Sequence, residues 1–104
     1  METGNFVITQ EEAAAGVKFF LQGRVDSMNA AELEYKLEQA IKDGQTNLVL
    51  NMLRVEYLCS TGIRVILKAY KEAKAAGGQL GIEMPSECVT NVLGIVALNE
   101  MLVK

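Results

Sequence analysis

Alternation comes first along the chain. Phe6, Val7 and Ile8 lie in a β-prone stretch, Asn5 to Thr9, that predicts a first strand. Gln10 to Gly16 is polar and alanine-rich and predicts a turn. In Val17 to Gln22, Val17, Phe19 and Leu21 fall on one face, so this reads as a second strand, a hairpin partner of the first, ended by Gly23. The period then changes. Leu33, Leu37, Ala40 and Ile41 recur at helical spacing over Ala30 to Lys42, with Asn29 and Glu32 placed as a capping box and Asp43-Gly44 as the stop.

The short apolar run Leu48-Val49-Leu50 predicts a strand buried on both faces, followed by a loop from Met52 to Cys59. Ser60-Thr61-Gly62 opens a second helix with the stripe Ile63, Ile66, Leu67, Tyr70 and Ala73, and Gly77-Gly78 closes it. Leu80-Gly81-Ile82 is a further strand. Pro85-Ser86 starts a third helix carrying Val89, Val92, Leu93 and Val96 on one stripe. Met101-Leu102-Val103 is either a last edge strand or a frayed end.

The order β-β-α-β-α-β-α predicts an α/β fold: a four- to five-stranded, mostly parallel sheet with right-handed helical crossovers. At 104 residues the chain has material for one domain, residues 1–104, and no repeat or linker divides it. Half of the residues are hydrophobic and 22% are charged, which suits a packed interior and excludes a disordered chain. Its apolar runs are too short to cross a bilayer, and no charged start followed by an apolar core and a small-residue cleavage site is present. These features predict no direct membrane insertion, no signal peptide and a cytoplasmic location.

Charge and chemistry narrow the function. The net charge is -3, with ten basic residues scattered among acidic ones, which argues against a nucleic-acid partner. Two cysteines, Cys59 and Cys88, form no CxxC pair, and histidine is absent, so no zinc site and no cofactor is expected. Without histidine the commonest general base is missing, and neither a GxSxG elbow, a GxxxxGK[ST] loop nor a GxGxxG turn occurs. The expectation is a binding protein with no catalytic residues.

Strands joined by crossover helices run parallel, so the loops leaving them share one edge of the sheet, where partners of α/β sheets usually bind. That places Asp26, Ser27 and Met28 near Cys59, Ser60, Thr61 and Gly62, with Ser86 alongside. Two compatible readings exist for Ser60 and Thr61. A hydroxyl there can cap the helix. It can also accept a phosphoryl group, whose charge the helix N-terminus tolerates and a docked partner does not. Cys59 is either a small space-filler or a thiol made reactive by the helix N-terminus; the reading for Cys88 is packing. Met28 and Tyr57-Leu58 suit exposed partner anchors, though Tyr57 can equally lie tucked under its loop. Glu32, Glu34, Lys36 and Glu38 read as the solvated face of the first helix.

The stretch from Leu48 to Leu67 (LVLNMLRVEYLCSTGIRVIL) resembles the signature of STAS domains: a buried strand, an eight-residue stretch, then Asp-Ser-Ser/Thr-Gly-Leu at a helix start. Gly23 to Asp26 (GRVD) resembles the family's Gly-Glu-Leu-Asp turn. Pro85 to Leu102 resembles its closing helix, with Ala97-Leu98 where Gly-Leu is usual. The branch most similar is the anti-sigma factor antagonists. The resemblance implies a STAS fold and partner switching: docking onto an anti-sigma factor that is also a serine kinase, release on phosphorylation, and resetting by a PP2C-type phosphatase. It implies Ser60 as the acceptor, Asp26 as the nearby carboxylate, Thr61 as a second hydroxyl, and Gly62 as the point of close kinase approach. One departure is plain: Cys59 stands where the family has aspartate. STAS domains also serve as docking subunits of ABC-type lipid transporters, which is the alternative implied; a small enzyme is the third and weakest reading.

Overall fold

The computed structural model describes residues 6–13 and 16–95. Asn5, Val96, Ala97-Leu98 and Met101-Leu102-Val103, all assigned from sequence, lie outside them. The elements are β1 (Phe6–Ala13), β2 (Gly16–Val25), α1 (Ala30–Lys42), β3 (Asn47–Leu58), α2 (Ser60–Ala75), β4 (Gln79–Glu83) and α3 (Glu87–Ile95). They reproduce the expected order. The four strands form one sheet in the order β1-β2-β3-β4. β1 pairs antiparallel with β2, and β2, β3 and β4 run parallel.

The hairpin is longer than its pattern. Gln10, Glu11 and Glu12 continue β1 opposite Phe19, Lys18 and Val17, so the expected turn over Gln10 to Gly16 is mostly strand. Glutamate and glutamine are weak strand formers, but ladder pairing along β2 outweighs that preference. Gly23 does not end β2: it takes φ 99° at a register shift, and the strand runs on to Val25.

The largest correction concerns β3. The segment from Met52 to Leu58 is strand, not loop. Against β2, the partners step from Phe20–Gln22 to Asn51–Arg54 and from Gly23–Arg24 to Val55–Tyr57. At each step β3 carries an extra residue, a bulge that breaks the two-residue period. Its buried positions are accordingly Leu48, Leu50, Met52, Val55 and Leu58. Leu48 and Leu50 face the core while Val49 is half-exposed, so this run is not buried on both faces.

One core joins the sheet to the helices. Val17, Phe19, Leu21, Leu48, Leu50, Met52 and Ile82 meet Leu33 and Leu37 of α1, Val65, Ile66, Ala69 and Ala73 of α2, and Val89 of α3. Burying each large apolar side chain contributes about 1.5–3 kcal/mol. The stripe of α2 centres on Gly62, Val65, Ile66, Ala69 and Ala73, with Ile63, Leu67 and Tyr70 packed at its margins. Its small residues permit the close seat. Lys68 of α2 reaches Glu34 and Glu38 of α1 at 2.9 and 3.1 Å, so that part of the charged face of α1 ties two helices together. The hydrogen bond to Glu34, then that to Glu38, raises the Lys68 pKa above the usual lysine range.

Candidate functional site

The site is built at the shared end of β2 and β3. Val25 and Leu58 are ladder partners there, and the Cys59 N–H donates to the Val25 carbonyl at 3.0 Å. This bond holds the start of α2 beside the loop leaving β2, so two segments far apart in sequence leave the sheet side by side.

The β2–α1 loop is locked by its own side chains. One carboxylate oxygen of Asp26 accepts from the N–H groups of Met28 and Asn29, each at 3.0 Å. Asn29 returns the contact: its Oδ1 accepts from the Asp26 N–H at 2.9 Å and its Nδ2 donates to the Arg24 carbonyl at 2.8 Å. The expected capping box is therefore absent, since the Asn29 side chain is spent on the loop and makes no cap bond to α1. The consequence is a rigid turn that pushes Ser27 and Met28 outward, Met28 with 87% of its surface exposed.

At the start of α2 the N-cap is Cys59, with extended backbone (φ -85°, ψ 172°). Its Sγ accepts from the Gly62 N–H at 3.4 Å. Cys59 thus fills the capping position that the sequence pattern gave to Ser60 or Thr61; it is half-buried, as a space-filler would be, and makes the cap bond as well. Ser60 becomes the first helical residue, exposed, with its hydroxyl outside the capping bond; Thr61 is half-buried behind it. Thiols are weak acceptors, which is why the usual preference for Ser, Thr, Asp and Asn at this position hid the true cap.

Gly62 is buried, and a Cβ there would meet Val25 Cγ1 at 2.8 Å and Leu58 Cδ1 at 2.9 Å. The glycine serves the seating of α2 on β2 and β3. Ser86 also departs from expectation. Its N–H donates to the Met52 carbonyl at 3.1 Å and its Oγ accepts from the Val89 N–H at 3.2 Å, capping α3. Because β3 runs on from Met52 through two bulges to Leu58, Ser86, bonded beside Met52, does not share the end of the strand where Ser60 follows Leu58.

Tyr57 is at the surface, 39% exposed, with the Arg24 guanidinium 4.4 Å from its ring centroid, whereas Leu58 is buried in the core and is no surface anchor. Arg24 and Tyr57 are ladder partners. Arg24 was not singled out from sequence; its place in the GRVD turn was the available signal. Arg64, one turn after Ser60 and exposed, is a second cation on this side of the helix. Cys88 is half-buried on α3 and, like Cys59, a free thiol.

Two crossover-linked strands, ending in a loop locked by Asp26 and Asn29 and in a helix start with an exposed Ser60, make a small α/β domain with one mixed sheet. The chain belongs to the STAS family, whose domain model matches residues 6–103. It is 38% identical over 60 residues to BtrV of Bordetella bronchiseptica, which is described as an anti-sigma factor antagonist; the match covers 58% of this chain and 52% of BtrV, about half the length of that relative. The fold is also that of the anti-sigma factor antagonist SpoIIAA. Its unphosphorylated form superposes with a TM-score of 0.84 at 23% identity, covering 93% of this chain and 86% of SpoIIAA. The phosphorylated form of the Bacillus protein gives 0.78 at 22% identity, covering 93% and 89%. Among the described residues no helix is long and apolar enough to cross a membrane.

Proposed function

We propose that this protein is an anti-sigma factor antagonist that works by partner switching in the cytoplasm, as a binding switch and not as an enzyme. Unphosphorylated, it docks onto an anti-sigma factor serine kinase through the surface around Met28, Tyr57 and Ser60. Phosphorylation of Ser60 places roughly two negative charges in that interface and releases the partner. A PP2C-type phosphatase then restores the docking form.

The observation that carries this reading is the exposed Ser60 hydroxyl, left outside the cap by Cys59, at the first residue of α2. A phosphoryl group there meets the free N–H groups of the first helical turn and the Arg64 guanidinium one turn on, so the domain itself tolerates the charge. The burden falls on a partner packed over it. Family membership and the likeness to SpoIIAA, known in both phosphorylation states, support the same reading.

The test is a mass-spectrometric phosphosite map of the protein from its native cells under several growth conditions. A phosphoryl group on Ser60 whose occupancy varies with condition supports the switch. A Ser60 that stays unmodified while other phosphosites are detected favours the second reading, a constitutive docking subunit of an ABC-type lipid transporter. Cys59, in place of the family's aspartate, is the feature favouring that alternative.

A further inference from the structure

The face of the sheet opposite the helices carries a groove of about 330 Å³ that shares no lining residue with the Ser60 end of α2. Val7, Phe20 and Leu53 form its apolar part, with Thr9, Asn51 and Arg54 among its polar residues. Val7 is 47% and Leu53 51% exposed, large values for apolar side chains grouped on one surface.

The first bulge of β3 shapes this groove. Between the pairs Phe20–Asn51 and Gln22–Arg54, β3 has one residue too many. Leu53 and Arg54, consecutive in sequence, are therefore both exposed instead of alternating between core and solvent. The Leu53 N–H turns to the Asn51 side chain, at 3.2 Å. Bulges re-aim side chains in this way and are enriched beside binding sites. Here the product is a guanidinium on the lining of an apolar groove.

The charges make the groove one-sided. Among the described residues no acidic side chain lines it. The nearby Glu83 is engaged, by Lys18 at 3.0 Å and by the Asn51 amide at 2.8 Å. Among the described residues Arg54 forms no ion pair. A guanidinium of this kind matches a carboxylate bidentately, and the apolar residues beside it match a short hydrocarbon body. The volume sits at the lower end of the range for small-molecule sites, which limits the occupant to a compact molecule.

We infer that this groove binds a small amphipathic carboxylate, its head on Arg54 and its apolar tail across Phe20, Leu53 and Val7. The site is independent of Ser60 phosphorylation and stands or falls separately from the switch.

The experiment is a backbone-amide NMR titration of the whole chain with octanoate, repeated with the neutral probe octanol. Saturable shifts centred on Val7, Phe20, Leu53 and Arg54, with a dissociation constant on the order of 1 mM or tighter, are expected. Octanol and the Arg54→Gln variant should each weaken binding at least about fivefold, and Arg54→Lys should fall between. Leu53→Asp, checked for native dispersion, should abolish the shifts. Absence of saturation, shifts centred elsewhere, or equal binding by octanol or Arg54→Gln would overturn the inference. So would concentration-dependent shifts of these amides without any probe, because they would assign the face to a second copy of the chain.

Discussion

Cys59 and Gly62 are joined by a hydrogen bond from the Gly62 N–H to the Cys59 sulfur, 3.4 Å long. This one contact organises the site. It gives the cap to a thiol, makes Ser60 the first helical residue and leaves the serine hydroxyl outward. The same turn presses Gly62 between Val25 and Leu58, so the helix start is fixed to the sheet on one side and open on the other.

Because the cap is a weak acceptor, a carboxylate in its place should hold the helix better. Cys59→Asp is expected to raise stability by about 0.5–1 kcal/mol through a stronger cap and a favourable charge at the helix N-terminus. Cys59→Ala should lower it by no more than about 1 kcal/mol. Urea denaturation of the three proteins checks both directions. A Cys59→Asp protein less stable than the parent would mean that the sulfur's packing, not its hydrogen bond, is what the position needs.

The switch makes a paired prediction. Ser60→Ala should fold and bind the anti-sigma factor while refusing the phosphoryl group. Ser60→Asp should fold but bind about tenfold or more weakly, a loss of about 1.4 kcal/mol. Affinity by calorimetry, with circular dichroism as the folding control, separates the effects. Parental affinity in Ser60→Asp would rule out charge in the interface as the cause of release.

The course of the fold was legible where hydrophobic period and secondary structure agree. α1 is an instance, since Leu33, Leu37 and Ala40 are buried as their spacing demands. It was not legible in β3, because two bulges space the buried residues by three at Met52, Val55 and Leu58. A sequence reading has no ladder with which to recognise that. The site was half legible. The Val25–Leu58 pair sets the loop carrying Asp26 and Met28 and the start of α2 with Cys59 and Ser60 at one end of the sheet, as the topology requires, but the extension of β3 carries Ser86 away from them. Side-chain roles depended on contacts no motif contains: Asn29 turns to Arg24 and Asp26 instead of α1, and Arg24 covers Tyr57.

Gly62 gives a prediction with competing terms. Alanine is the better helix former by up to about 1 kcal/mol. Its methyl group, however, would stand 2.8 Å from Val25 Cγ1 and 2.9 Å from Leu58 Cδ1, both buried. Overpacking of this kind costs about 1–3 kcal/mol, so Gly62→Ala should be destabilised overall. A Val25→Ala, Gly62→Ala double variant should recover part of the loss relative to the sum of the single changes. Strict additivity in that cycle would show that the clash is relieved without involving Val25.

The sheet also carries an acid-sensitive contact. Glu83 accepts from the Asn51 amide at 2.8 Å and pairs with Lys18 at 3.0 Å, and these two contacts, the amide first, hold its carboxyl below the usual glutamate range. A carboxyl depressed on folding contributes stability that is present above its unfolded pKa and is lost as the pH falls through the folded one. Glu83→Gln removes the ionisable group and keeps the amide-sized side chain. The parent should therefore be the more stable protein at neutral pH. The gap should narrow as the solution is acidified below about pH 4.5 and close once Glu83 is protonated in both the folded and unfolded chains. Denaturant titrations at several pH values read this directly. A stability difference that stays constant down to pH 2 would show that the Glu83 contacts contribute by packing and not by charge.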